Sequence, residues 1–110
     1  MSLSGATFNV PMRQLLVFTS STGQREYMKQ LNLLNGDQAG LNERDLKIRI
    51  IGPKELERSY YKVQTDEFCI VLIGKDGSEK YRTTSLLSLA KLYSLIDAMP
   101  MRKQEMRNGK

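Results

Sequence analysis

Two short apolar runs limit what this chain can fold into: Gln14-Leu-Leu-Val-Phe-Thr19 and Phe68-Cys-Ile-Val-Leu-Ile73. Each has the length of a strand, and neither alternates between apolar and polar residues. Strands lose that alternation when both of their faces are covered, so the first run reads as the central strand of a sheet lying between two layers. With 110 residues, 40% of them apolar, the chain can bury one modest core and reads as one domain.

The segments around these runs supply the rest of an α/β pattern. From Thr22 to Asn35 the spacing is helical, with Tyr27, Leu31 and Leu34 on one face, Ser21 or Thr22 as cap and Asn35-Gly36 as stop. Residues Gly36 to Arg44 read as a polar loop. Leu46, Ile48 and Ile50 then alternate with Lys47 and Arg49, the signature of a half-exposed edge strand. Pro53 to Tyr61 reads as a short helix with proline in its first turn. After the second apolar run, Asp76-Gly77 marks a hairpin into Glu79-Lys-Tyr-Arg82. Thr84 or Ser85 is the expected cap of a last helix, striped by Leu86, Leu89, Tyr93 and Ile96 and ended by Pro100. A β-α-β unit followed by a hairpin and a closing helix gives a four-stranded mixed sheet flanked by helices on both faces, which is the minimal thioredoxin-like architecture. Residues 1–12 read as a disordered or expression-derived start, 13–106 as the domain and 107–110 as a basic tail.

Composition removes several chemistries. The chain has no histidine, so Ser-His-Asp and Cys-His sites and imidazole-bound metals are out of reach. It has one cysteine, so no intramolecular disulfide can form. The formal charge of +5 invites a nucleic-acid reading, but cations cluster only in Met101 to Lys110, and Lys47 with Arg49 makes no basic stripe. The expectation is therefore no nucleic acid, no membrane span, no metal and no cofactor. Asp76 is explained by turn chemistry, and no acidic pattern dense enough for calcium is present.

Where a thioredoxin-like chain carries a Cys-x-x-Cys pair after its first strand, this one has Ser20-Ser21-Thr22-Gly23. Those hydroxyls cap a helix or, helped by Arg25, hold an anion in a secondary pocket. A hydrolase built on the Ser20-Ser21 turn would need a lysine as base, and no Ser-x-x-Lys spacing occurs there. Cys69, within the apolar third strand, reads as core filler. The alternative is a thiol oxidoreductase or peroxiredoxin-like enzyme using Cys69.

The second half carries a family resemblance. Phe68-Cys-Ile-Val-Leu-Ile-Gly-Lys-Asp-Gly-Ser-Glu-Lys-Tyr-Arg82, followed by Leu95-Ile-Asp-Ala-Met-Pro-Met-Arg-Lys-Gln-Glu-Met106, resembles the P-DUDES group of thioredoxin-like domains. Arg13 to Phe18 and Gly40 to Asp45 are similar to the first strand of that group and the approach to its second. The group joins uncharacterised bacterial proteins to vertebrate secreted sushi-repeat proteins and a coiled-coil matrix protein. The resemblance implies a periplasmic or secreted setting and a non-catalytic binding or structural module. The expected contact residues are Asp97, Met99, Met101, Arg102 and Glu105, a surface for another protein. The competing reading packs Met99 and Met101 under the domain and pairs Arg102 with a carboxylate such as Asp97.

Overall fold

The computed structural model describes residues 12–20, 24–52, 55–64 and 66–109. The first strand, β1 (Arg13–Phe18), runs through the middle of a four-stranded mixed sheet. On one side it pairs in parallel with β2 (Leu46–Ile51), Arg13 opposite Leu46 and Phe18 opposite Ile51. On the other it pairs antiparallel with β3 (Cys69–Ile73), Gln14 opposite Ile73. The hairpin then adds β4 (Glu79–Thr83) at the edge, giving the order β2-β1-β3-β4. The antiparallel hairpin matches its Asp76-Gly77 signal, and Gly77 takes the left-handed φ of +85° that the turn needs.

Both central strands are buried along nearly their whole length, as two covered faces require. Leu15, Val17, Ile70 and Leu72 point to one face, where Leu34 of helix α1 (Gln24–Asn35) and Leu92 and Ile96 of helix α4 (Leu89–Asp97) pack on them. Leu16, Phe18, Cys69, Val71 and Ile73 point to the other, with Ile51, Val63 and Tyr61. There the Phe18 and Tyr61 rings meet edge to face, 6.1 Å between centroids. Burying a leucine or phenylalanine side chain fully is worth about 1.5–3 kcal/mol, so these two clusters are the main source of stability.

Five helices lie among the described residues, and several depart from the sequence reading. Residues 36–44 do not form a loop: Gln38–Glu43 is helix α2, capped by Asp37, whose carboxylate accepts from the Gly40 amide at 3.1 Å. Six residues with one buried leucine are too few to show a 3.6-residue period, which is why the pattern missed it. A Cβ on Gly40 would lie 2.3 Å from Asp37 Oδ2 and 2.6 Å from the Tyr93 hydroxyl, so this glycine allows the close approach of the cap and α4. The expected helix at 53–61 shrinks to one turn, α3 (Glu57–Tyr60), residues 53–54 lying outside the described set. In β2 the alternation holds at Leu46 but not at its end: Ile50 is 45% exposed and Ile51 is buried beside Phe18, because cover at that end lies on the opposite face.

Neither Thr84 nor Ser85 caps α4. Ser88 does, accepting from the Lys91 amide at 3.1 Å. The delay is caused by Gln30, a fully buried amide on α1 that donates to the Leu87 carbonyl at 2.9 Å and accepts from the Leu87 amide at 2.7 Å. It pairs with residue 87 as a neighbouring strand would, so the helix starts only after that pairing is complete. Pro100 does not simply stop a helix: α4 ends at Asp97, and Pro100 opens helix α5 (Pro100–Gly109), where a missing N–H costs nothing. α5 takes in Arg107, which the sequence reading assigned to a basic tail.

Candidate functional site

Antiparallel pairing brings the start of β1 next to the end of β3, and the ends of α2 and α4 with the first turns of α5 converge there. Charged side chains from all of these elements meet. Arg13, 0% exposed, donates from Nη1 to the Arg44 carbonyl at 2.9 Å and to Glu105 Oε1 at 3.2 Å, and from Nη2 to Glu105 Oε2 at 3.0 Å. Lys75, just past β3, donates to Glu105 Oε2 at 2.6 Å and to Asp45 Oδ2 at 2.9 Å. Arg102, 3% exposed, donates to Asp97 at 3.1 Å, to the Glu43 carboxylate at 3.0 Å and to its carbonyl at 3.2 Å. Arg44 grips Asp97 with two bonds of 3.1 and 3.0 Å while its guanidinium lies 3.8 Å from the Tyr93 ring centroid.

Four cations thus meet four carboxylates at one end of the sheet. Such pairs give little net stability, because removing each charge from water costs about what its partner returns; breaking one is costly, since it strands the other. What the cluster supplies is position. It binds the last helix to the strand ends. Burial pushes the Glu105 carboxyl up, but the hydrogen bonds from Arg13 and Lys75 outweigh that and hold it below the usual carboxylate range. Asp97 is likewise lowered on balance, with Arg44 and Arg102 outweighing its burial.

Carboxyl groups with depressed folded-state values stabilise the fold above their unfolded values and lose that contribution as pH falls through the folded ones. The tie should therefore be complete above about pH 5 and fail progressively below about pH 4. Amide exchange across an acid titration should show α5 opening before β1 and β3. Simultaneous opening of helix and sheet would contradict this.

The residues expected to form a contact surface fall into two groups. Asp97, Arg102 and Glu105 are brought together inside the ionic cluster, with Arg102 paired to Asp97 as the competing reading had it. Met99 is partly buried against the first core, and Met101 is 47% exposed on the outside of α5. Ser20 is buried beyond the far end of β1, and Ser21, Thr22 and Gly23 lie outside the described residues. Sequence reasoning missed Arg13, Arg44, Lys75, Glu43 and Asp45. The one local signal was an arginine directly before the first apolar run, a position that burial turns into a charge needing a partner.

At the opposite end, Arg58 does comparable work with carbonyl groups. Its guanidinium, on a residue 3% exposed, donates to the carbonyls of Gly52 at 2.7 Å, Gln64 at 2.6 Å, Glu67 at 2.9 Å and Thr19, and lies 5.4 Å from the Phe18 ring centroid. It gathers the chain after β1, after β2 and before β3.

Cys69 is 1% exposed in β3, and burial pushes its thiol pKa up despite the nearby Arg82 guanidinium. Asp76 accepts from the Ser78 amide at 3.0 Å and hydroxyl at 2.8 Å and from Lys80 at 3.0 Å, which holds its carboxyl at about 2. Among the described residues, no three of His, Cys, Asp and Glu are grouped so as to hold a metal ion, and no helix is long and apolar enough to cross a membrane.

Residues 53–105 match the model of a domain of unknown function, DUF4174. Over a 112-residue alignment covering 86% of the chain, it is 31% identical to sushi repeat-containing protein SRPX of Rattus norvegicus and to that of Homo sapiens. Over 50 residues, 44% of the chain, it is 40% identical to coiled-coil domain-containing protein 80 of Danio rerio. The chain spans 24% of the length of each SRPX protein and 6% of the coiled-coil protein. No solved structure matches it significantly.

Proposed function

We propose that this chain is a thioredoxin-like module of the P-DUDES group without redox chemistry, which binds or organises another protein in an extracytoplasmic setting. The strand order β2-β1-β3-β4, with β2 parallel and β3 antiparallel to β1, supports the thioredoxin-like reading. The similarity to sushi-repeat proteins supports the setting.

One observation carries the absence of redox catalysis. The chain's single thiol is walled into the central sheet and kept protonated by its surroundings, and the sequence after β1 has hydroxyl residues where a dithiol would stand. A thiolate is the nucleophile of every disulfide exchange, and a buried protonated thiol is neither accessible nor activated. Binding is assigned to the outer side of α5, where Met101 and Met106 are exposed. Asp97, Arg102 and Glu105 set the position of that helix, Met99 anchors its start, and a secondary, anion-binding role is assigned to Ser20, Ser21, Thr22 and Gly23 on their residue types alone.

The test is direct. Native protein should fail to reduce insulin disulfides, and Cys69 should react with a chromogenic disulfide reagent at least about 100-fold more slowly than in denaturant, since labelling must wait for opening of a central strand. Fast native labelling with insulin turnover would establish the alternative, an oxidoreductase or peroxiredoxin-like enzyme using Cys69.

A further inference from the structure

α5 is attached in an unusual sense. Its inward side chains are Arg102 and Glu105, while Met101 and Met106 face outward at 47% and 36% exposure. No apolar side chain of the helix is among the buried core residues. Ionic contacts hold it in two sets, Glu105 to Arg13 and Lys75, and Arg102 to Glu43 and Asp97.

The two cations opposite Glu105 each have a second partner. Arg13 is held from behind by the Arg44 carbonyl at 2.9 Å, and Lys75 by Asp45 at 2.9 Å. Both Glu105 oxygens are filled: Oε1 by Arg13 at 3.2 Å with Arg102 at 3.7 Å, and Oε2 by Arg13 at 3.0 Å and Lys75 at 2.6 Å. The Arg13 fork and the lysine point charge form a bidentate-plus-one grip fitted to a planar carboxylate. Arg13 Nε is buried without a hydrogen-bond partner, so this guanidinium depends all the more on its anion. With Glu105 removed, four cations would face three carboxylates, Glu43, Asp45 and Asp97.

We propose that Arg13 and Lys75 form a carboxylate-binding cradle that Glu105 occupies from within the chain, and that α5 is a strap whose release hands the cradle to a carboxylate of an acidic peptide. Binding of such a segment and docking of α5 are mutually exclusive, so the acidic ligand switches the exposure of the last helix. This goes beyond the non-redox reading and does not depend on it; thiol labelling of Cys69 stays slow whether or not the cradle accepts a ligand.

The experiment removes the internal occupant in the full chain and offers a substitute. Glu105→Ala should melt lower than the parent. At neutral pH, acetate and a tetraglutamate peptide should each restore most of the lost melting temperature with saturation, while chloride at matched ionic strength does not. Adding Arg13→Met should abolish the restoration. Equal effects of acetate and chloride, or a rescue that survives loss of Arg13, would overturn the proposal. If Glu105→Ala does not fold, the parent protein serves: acetate should speed amide exchange in α5 selectively, by several-fold over chloride, and identical exchange in the two salts would overturn it.

Discussion

Replacing Arg58 with methionine is expected to cost about 4 kcal/mol, a large effect for a residue outside the two apolar clusters. Methionine fills much of the same volume, so the loss is not one of packing. It is the loss of one charged group that satisfies four backbone carbonyls, those of Thr19, Gly52, Gln64 and Glu67. A hydrogen bond to a charged donor is worth about 1.5–3 kcal/mol, and water entering the site recovers part of the total. Lysine retains the charge but offers no planar fork, so Arg58→Lys should recover less than half of the deficit. Denaturant unfolding monitored by circular dichroism measures both, and the melting temperature should fall by about 15 °C for Arg58→Met. A loss below about 1 kcal/mol would mean that the four carbonyls rehydrate freely and that the arginine is decorative.

Arg102→Glu should destabilise the fold by about 3–5 kcal/mol, because it strands a buried carboxylate among others. Arg102 is 3% exposed and bridges Asp97 to Glu43, with Glu105 close by at 3.7 Å. Its reversal places four carboxylates together, one of them new, with Arg44, Arg13 and Lys75 left to offset them. The pH dependence then changes sign. In the parent, Asp97 and Glu105 have lowered values and the cluster weakens as pH falls. In the variant, crowding raises carboxyl values, and groups raised above their unfolded values gain stability as pH falls through them. The gap between the two proteins should therefore narrow from pH 7 towards pH 5, whereas a gap independent of pH would assign the loss to packing. Met101→Ser, on the exposed side of the same helix, should change stability by no more than about 0.5 kcal/mol, so partner capture can be tested there without unfolding.

Together these substitutions describe a sheet tied off at both ends by arginine. At the β1 start Arg13 and Arg102 work through carboxylates, and at the β1 end Arg58 works through carbonyls. The four cations and four carboxylates of the cluster cancel one another, so the +5 balance rests on Arg58 and the remaining charged residues.

The four strands, the first helix, the hairpin and the striped helix α4 were all legible in the letters, because each rests on a short apolar run, on a period of two or 3.6 residues, or on a two-residue turn. So was the lack of a dithiol, which needs only a count of cysteines. Helix α2 was not, since one buried leucine carries no period and its cap Asp37 is confirmed by Tyr93, 56 positions away. The Ser88 cap likewise depends on Gln30 reaching Leu87 across 57 positions. Of the candidate site, the sequence pointed to Asp97, Arg102 and Glu105, and in one reading to an Arg102–Asp97 pair, but not to Arg13, Lys75, Arg44 or Glu43. Arg13 and Glu105 are separated by 92 positions, and only the folding of β1 beside β3, with α5 laid across their ends, brings them to 3.0 Å. Local patterning determined which segments form strands and helices, and composition that the chain has one cysteine and no histidine. Tertiary structure decided which charges meet, because an ion pair has no sequence period: it depends on distance in space, and burial then makes that distance matter.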